Sequence, residues 1–217
     1  MVPEGLIAHG RGEAYDYLIG ERTTKTARRA IRAAAAKLLL SKWPVISVNG
    51  NTVALCPKTV VELAKVTSAA IEVNLFYRAE KREMGIKAEL EMYGAKEVLG
   101  VGSRASAGIP ELQSERRRVD PDGIYVADTV LVPLEDGDRA EALVKLNKMV
   151  IAVDLNPLSR TSRTANITIV DNVVRAMPAL VEAARELRGT KSLKKIIDSF
   201  DNKKNLRDSL AVIKGGV

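Results

Sequence analysis

The sequence predicts an α/β fold with a mainly parallel sheet and helices on both faces. Two observations predict it. Short apolar segments alternate along the chain with longer segments of helical periodicity. The short segments are apolar almost throughout, which is typical of strands buried on both faces of a parallel sheet. This is a Rossmann-like arrangement, and we expect a first helix over 23–42 to precede it as an added N-terminal helical segment.

The elements follow in a regular order. In the first helix, 23–42, apolar side chains recur at helical spacing, and Thr23 or Thr24 can cap it. The predicted strands are 44–48, 71–76, 97–101, 129–133, 149–154 and 167–170. The later predicted helices are 58–67, 79–93, 138–148 and 172–188, with Pro178 expected to kink the last one or begin a fresh first turn. Residues 103–123 are the best candidate for a long surface loop.

The length of 217 residues predicts one α/β domain, which we place at 1–190, followed by a basic helical tail at 191–217. The single cysteine, Cys56, excludes an intramolecular disulfide and predicts a reducing, cytoplasmic setting. The sequence has no run of 18 apolar residues, so we expect no membrane span.

The formal net charge of +7 is concentrated at two places. Residues 21–42 carry seven basic residues and one acidic residue, and 191–217 carry seven and three, which leaves the rest of the chain net negative. Only eight aromatic residues are available for base stacking. We therefore expect no nucleic-acid partner and interpret the charge as solvated helix faces.

Ligands of open α/β sheets bind beyond the carboxyl ends of the strands. The loops that follow the predicted strands are rich in amide, carboxylate, guanidinium and hydroxyl groups, and we expect them to converge. The residues concerned are Asn49 to Thr52, Tyr77 and Arg78, Glu135 to Arg139, and the stretch that begins at Asp154.

The stretch VDLNPLSRTSRTANITIVDN, 153–172, predicts a nucleotide site. Asp154 and Asn156 can bind a ribose or a base edge, while Arg160 and its hydroxyl neighbours can bind phosphate oxygens. Asn172 lies where a helix begins, and the free N–H groups there favour an anion. An ordinary turn with Asx and Ser/Thr motifs is the alternative interpretation.

The stretch HGRGEAYD, 9–16, contains the only histidine, His9, and two glycines that flank Arg11. We expect these glycines to allow close backbone approach to a ligand, as in phosphate loops. An exposed histidine without a function is the alternative.

Three other kinds of site are not expected. The G-x-G-x-x-A pattern at 100–105 is interrupted by 106–110 and is not on the first βα turn, so dinucleotide binding is not favoured. No P-loop motif is present, and one histidine with one cysteine cannot form a transition-metal cluster. Magnesium suits carboxylates together with substrate phosphates, although spacing does not identify its ligands. The candidates are Glu13, Asp16, Glu135, Asp136, Asp138, Asp154 and Asp171.

Five ordered motifs resemble one known family. They are GLIAHGRGEAYDYLIGERT, PVISVNGNT, EVNLFYR, VLVPLEDGDRAEALVKL and VIAVDLNPLSRTSRTANITIVDNVVRA, within residues 5–188. Together they resemble the archaeal phosphopantothenate synthetase (4-phosphopantoate–β-alanine ligase) family. Members usually carry an ATP-contacting arginine in a basic segment ahead of the first motif. The sequence begins four residues before that motif, so this arginine has no counterpart in it.

The resemblance implies a homodimeric, ATP-dependent ligase of archaeal coenzyme A synthesis. It would join 4-phosphopantoate to β-alanine through a phosphopantoyl-adenylate, with release of AMP and pyrophosphate. By matching motif positions, the ATP contacts fall on Arg11, Asp154, Leu155, Asn156, Arg160, Thr161, Asn172 and Val173.

For this reaction we predict that Arg160, Arg11 and magnesium neutralise the triphosphate, while Asp154 and Asn156 hold the adenosine. Phosphopantoate is assigned to His9, Asn49, Asn51 and Arg78, so the candidate catalytic residues are Arg160, Arg11 and His9. Glu13 or Asp136 is the candidate base for β-alanine. Two other classes remain open: a nucleotide-binding regulator that never releases AMP, and an NAD-dependent oxidoreductase in which Gly102 would matter. The apolar helix 23–42 is the candidate dimer face.

Overall fold

The computed structural model describes residues 3–110 and 112–215, except for the side chains of residues 4, 5, 8 and 9. Its strands are β1 Pro44–Val48, β2 Ala70–Val73, β3 Ala107–Gly108, β4 Arg118–Val119, β5 Thr129–Pro133, β6 Met149–Val153 and β7 Ile167–Ile169. Five of them form a parallel sheet in the order β2-β1-β5-β6-β7, and β3 pairs with β4 in an antiparallel ribbon. The predicted parallel sheet is confirmed.

Ten α-helices lie in the described part of the chain. They are α1 Pro3–Leu18, α2 Lys25–Leu40, α3 Gly50–Leu55, α4 Pro57–Thr67, α5 Glu80–Met92, α6 Gly137–Lys145, α7 Arg160–Thr164, α8 Val173–Leu187, α9 Leu193–Asp198 and α10 Asn202–Gly215. Thr24 caps α2 by accepting the N–H of Ala27 at 3.1 Å. The last predicted helix, α8, runs without a break through Pro178, so the predicted fresh first turn is wrong.

Both faces of the sheet are apolar and covered. Along β5, Leu131 belongs to a core that also contains residues of α2, α4 and α8. Its neighbours Val130 and Val132 belong to a second core, which is closed by α6 and by the segment 109–127. This alternation confirms an α/β fold with cover on both faces.

The predicted strand 97–101 is reduced to a single bridge beside β2. The N–H of Leu99 donates to the carbonyl of Ile71 at 2.8 Å, and Val73 donates to Leu99 at 2.9 Å. Gly100 then has a φ of +73°, outside the extended region, and this ends the strand.

The segment 103–123 is not the surface loop that we predicted. It contains β3, β4 and two short 3₁₀ turns, and several of its side chains are buried. Asp120 fixes it to the sheet edge, since its carboxylate accepts the N–H of Gly100 at 3.0 Å and its own N–H donates to Glu72 of β2 at 3.0 Å.

The two ends of the chain are helical. The stretch around Arg11 is helical and not a phosphate-type loop, because Gly10 and Gly12 lie inside α1 and neither has a positive φ, so the predicted close backbone approach to a ligand stays a prediction. Near the other end, α9 and α10 pack on α2. Asn202 and Asn205 bond the N–H and carbonyl of Thr168, both within 2.9 Å, and so satisfy the open edge of β7.

Candidate functional site

A cavity of about 820 Å³ lies at the carboxyl ends of the five parallel strands, a volume suited to small-molecule ligands. Residues from all five following loops and from α1 line it. The predicted site residues that the structure brings together there are Arg11, Asn49, Asn51, Asp154, Leu155, Asn156, Arg160, Thr161, Asn172 and Val173.

The loop after β6 is held by successive side-chain turns. Asp154 accepts the N–H of Asn156 at 2.9 Å, and Asn156 accepts that of Leu158 at 2.9 Å. Ser159 donates its hydroxyl to Asp154 and caps α7 by accepting the N–H of Ser162 at 3.0 Å. Burial raises the pKa of Asp154, although the bonds from Ser159 and Asn156 favour its carboxylate. These side chains therefore have a structural use in addition to the ligand contacts predicted for them.

Arg160 and Thr161 join the loops after β6 and β5. The Arg160 guanidinium forms an ion pair with Asp138, and the Thr161 hydroxyl donates to the carbonyl of Glu135 at 2.9 Å. The Arg160 side chain remains 59% exposed at the cavity, so a bound anion can compete for it.

The loop after β7 anchors α1. Asn172 caps α8 and donates its side-chain amide to Glu13 at 3.1 Å and to Asp16 at 2.8 Å. Arg175 pairs with Asp16 and, at 2.8 Å, with Asp171. Burial raises the pKa of Asp16, but the bonds from Arg175 and Asn172 outweigh it and hold that pKa below its usual value. This cluster holds the helix that carries Arg11 against the site.

Asn49 lines the cavity but is engaged by its surroundings. Its carbonyl oxygen caps α3 by accepting the N–H groups of Asn51 and Thr52, each at 3.0 Å. Its amide donates to the carbonyl of Leu134 at 3.0 Å, which ties β1 to the loop after β5. To bind phosphopantoate as predicted, the Asn49 side chain would therefore have to break at least one of these hydrogen bonds.

Arg78 is not brought to the cavity. Its guanidinium donates to Glu83 at 2.7 Å and to the carbonyls of Val73 and Gly100, and its side chain is 5% exposed. The arginine that lines the cavity from this side is Arg82, four residues further on and in the first turn of α5. Arg82 was not among the predicted site residues, because the spacing of four residues does not show which of the two arginines faces the cavity.

The loop after β5 carries a buried charge cluster. Glu135 pairs with Arg139 and with Arg116, whose Nη1 lies 2.7 Å from a Glu135 oxygen. Burial raises the pKa of Glu135, but these two arginines outweigh it and lower the pKa below its usual value. Burial and the Glu135 charge raise the pKa of Asp136, whose carboxylate lies 2.8 Å from the Nε of Arg116. Arg116 was missed because 103–123 was interpreted as a surface loop.

The lining arginines differ in how their charge is balanced. Arg116 and Arg160 pair with carboxylates, whereas Arg11 and Arg82 make no ion pair among the described residues. Arg11 lies on the helix anchored beside β7, and Arg82 lies in the helix that follows β2. Considering the described residues alone, the cavity therefore has one arginine without an ion pair in its β6–β7 half and one in its β1–β2 half.

The side chain of His9 lies outside the described residues. No group of three or more His, Cys, Asp and Glu among the described residues could hold a metal ion. Gly102 does not line the cavity, and its N–H donates to Glu83 at 2.7 Å, so the G-x-G-x-x-A turn offers no open phosphate cradle there. Within the described chain, no helix is both long and apolar enough to cross a membrane.

Comparisons with known proteins agree with one another. The family model for phosphopantothenate/pantothenate synthetase matches residues 26–216. A 4-phosphopantoate–β-alanine ligase of Thermococcus kodakarensis is 57% identical over 97% of this chain and 81% of its own length. Enzymes with the same name from Thermococcus onnurineus and Methanosarcina mazei are 56% and 54% identical, again over 97% of this chain, and are themselves covered to 81% and 83%.

Proposed function

Because the chain belongs to the phosphopantothenate/pantothenate synthetase family, we propose that it joins 4-phosphopantoate to β-alanine in an ATP-dependent reaction. The products are 4'-phosphopantothenate, AMP and pyrophosphate, and the reaction belongs to cytoplasmic coenzyme A synthesis in an archaeon. The observation that carries the proposal is the cavity with one uncompensated arginine in each half, because the reaction must bring two phosphorylated anions together.

ATP occupies the half formed by the loops after β6 and β7. Arg11 and Arg160 neutralise its phosphates, and Asp154 and Asn156 hold the adenosine portion. Supporting this assignment, the anchored α1 and the start of α7 present both arginines to this half.

4-Phosphopantoate occupies the other half, with its carboxylate directed towards the α-phosphate of ATP. Attack by a carboxylate oxygen on that phosphorus forms the phosphopantoyl-adenylate and expels pyrophosphate. The deprotonated amine of β-alanine then attacks the acyl carbon and expels AMP. Positioning and charge neutralisation supply most of the catalysis.

Asp136 is the stronger candidate for the base that takes the β-alanine proton. It lines the cavity next to the β5 strand end, and its raised pKa suits a carboxylate that must accept a proton. Glu13 lies outside the lining residues and accepts a hydrogen bond from Asn172.

Magnesium, when bound, neutralises triphosphate charge. The four carboxylates that line the cavity all have protein partners, so they do not form a dedicated cage. They are Glu135, Asp136, Asp154 and Asp171. This fits a cation held mainly by the nucleotide phosphates.

The proposed assembly is a homodimer. The helix 23–42 was predicted as the dimer face because it is apolar. That prediction is wrong, because the apolar side of α2 is buried within the protomer against α8, α9 and α10. Exposed apolar residues of α1 fit a dimer face better: Leu6, Ile7, Tyr17 and Leu18. Light scattering on the purified protein tests this assignment, with Ile7→Asp expected to give a monomer and Leu40→Asp a dimer.

Quantifying AMP and product tests the proposed reaction. AMP, pyrophosphate and 4'-phosphopantothenate should form in equal amounts, and only when both organic substrates and ATP are present. ATP binding without any AMP release would instead indicate the regulator.

A further inference from the structure

We infer that Arg82 binds the phosphate of the acid substrate and sets the preference for a phosphorylated over an unphosphorylated acid. This inference rests on the proposed function and names the residue that recognises the second anion. With Arg11 and Arg160 on the nucleotide side, the remaining lining arginines are Arg82 and Arg116.

Charge balance separates these two arginines. Arg116 is buried between Glu135 and Asp136, with a nitrogen within 2.8 Å of each carboxylate, so its charge is already neutralised. Arg82 has no carboxylate partner among the described residues. The one side-chain hydrogen bond that Arg82 makes among the described residues is donated by Nη1 to the carbonyl of Tyr77. Since a guanidinium has five N–H donors, most of its donors remain for a ligand.

The position of Arg82 suits an anion in the main cavity. It lies in the first turn of α5, and its Nη2 would be 3.7 Å from a Cβ placed on Gly50, so it spans the loops after β2 and β1. A smaller cavity of about 400 Å³ lies on its other side, but Glu89, which makes no ion pair among the described residues, lines that cavity and would repel a phosphate. The carboxylates that line the main cavity are instead paired or hydrogen-bonded. The phosphate is therefore expected on the main-cavity side of Arg82.

The surroundings of Arg82 also fit the rest of the acid. Phe76 and Tyr77 stand edge to face with ring centroids 4.9 Å apart, and both line the main cavity. These rings offer an apolar surface for the two methyl groups of pantoate. Asn51, from the neighbouring strand end, lines the same half.

The test compares pyrophosphate exchange by the wild type, Arg82→Gln, Arg82→Lys and Lys81→Gln, with 4-phosphopantoate and with pantoate. Lys81 is the matched control, because it is an exposed cation in the same helical turn that lines neither cavity. We expect Arg82→Gln to raise the KM for 4-phosphopantoate about 10- to 100-fold, the size of a lost charge-assisted contact. The KM for ATP and the residual rate with pantoate should change less than twofold.

Arg82→Lys should restore part of the preference, because it keeps the charge but loses the fork of donors. Lys81→Gln should behave as the wild type does. An unchanged KM for 4-phosphopantoate in Arg82→Gln, or an equal loss with both acids, would overturn the inference and leave the ligase reaction standing. Absence of exchange in the wild type would overturn the proposed function as well, so the two failures are distinguishable.

Discussion

Gly137 and Arg160 are in direct contact across the start of α6. A Cβ on Gly137 would lie 2.5 Å from the Arg160 Cβ and 2.7 Å from its Nε, closer than real Cβ contacts allow. The glycine therefore lets α7 approach α6 closely enough to hold Arg160 at the cavity.

Gly137→Ala is expected to displace Arg160 and raise the KM for ATP, by up to about 100-fold if the displacement reaches 1 Å. Gly108→Ala is the matched control, because a Cβ there meets nothing within 4 Å. Steady-state kinetics with circular dichroism on both variants provide the measurement. An unchanged KM for ATP in well-folded Gly137→Ala would contradict the role assigned to this contact.

Arg160→Ala is expected to lower ATP-dependent turnover about 100-fold, because a donor that stabilises developing phosphate charge is lost. Arg163→Ala removes the same charge from the same helix at an exposed position outside the cavity, and should have little effect. Initial rates at saturating substrates compare the two. Similar rates for both variants would remove Arg160 from the site.

Asp136→Asn is expected to alter the acid limb of the pH profile for β-alanine. A base works only when it is deprotonated, so the rate falls as pH falls through the Asp136 pKa, which burial and Glu135 raise. Asparagine can still cap α6, where Asp136 accepts the N–H of Arg139 at 3.1 Å. The profile of kcat/KM for β-alanine should lose this limb in Asp136→Asn and keep it in Glu13→Gln. The opposite pattern would make Glu13 the base.

Glu72 is expected to make the protein less stable at neutral than at mildly acidic pH. Burial raises the pKa of Glu72 from 4.5 to about 7. Hydrogen bonds from the backbone N–H groups of Asp120 and Ile124 favour the carboxylate and oppose this rise, but do not cancel it. The folded state thus holds the proton more tightly than the unfolded chain. The free energy of unfolding should therefore fall as pH rises from about 4.5 to about 7, by on the order of 3 kcal/mol, and then level off.

Urea unfolding between pH 5 and pH 8 measures this dependence. Glu72→Gln should be less stable throughout, because an amide cannot accept from both N–H groups, but its stability should depend less on pH. A wild-type stability that rises over this range would contradict the assignment.

The site residues that could be predicted from the sequence are those in the loops that directly follow the parallel strands. Asp154, Arg160 and Asn172 each come just after an apolar strand, and parallel strands bring their carboxyl ends to one edge. Which of two nearby arginines turns inward was not predictable. Arg78 and Arg82 are four residues apart, and only the buried Glu83 and the carbonyls around Arg78 decide between them.

Two other elements depend on contacts that are distant in sequence. The helix α1 contains three glycines, which disfavour a helix locally, yet Arg175 of α8 and Asn172, the residue that caps α8, hold its Asp16 in place. Arg116 has no periodic pattern around it, and its position is set by Glu135, nineteen residues further along the chain. Local sequence carries neither signal.

The most direct test of the proposed reaction is ATP–pyrophosphate exchange with magnesium and 4-phosphopantoate, in the absence of β-alanine. Exchange that requires 4-phosphopantoate is the predicted result, because it demonstrates reversible formation of an acyl-adenylate. ATP binding with no exchange would contradict the ligase reaction and favour the nucleotide-binding regulator.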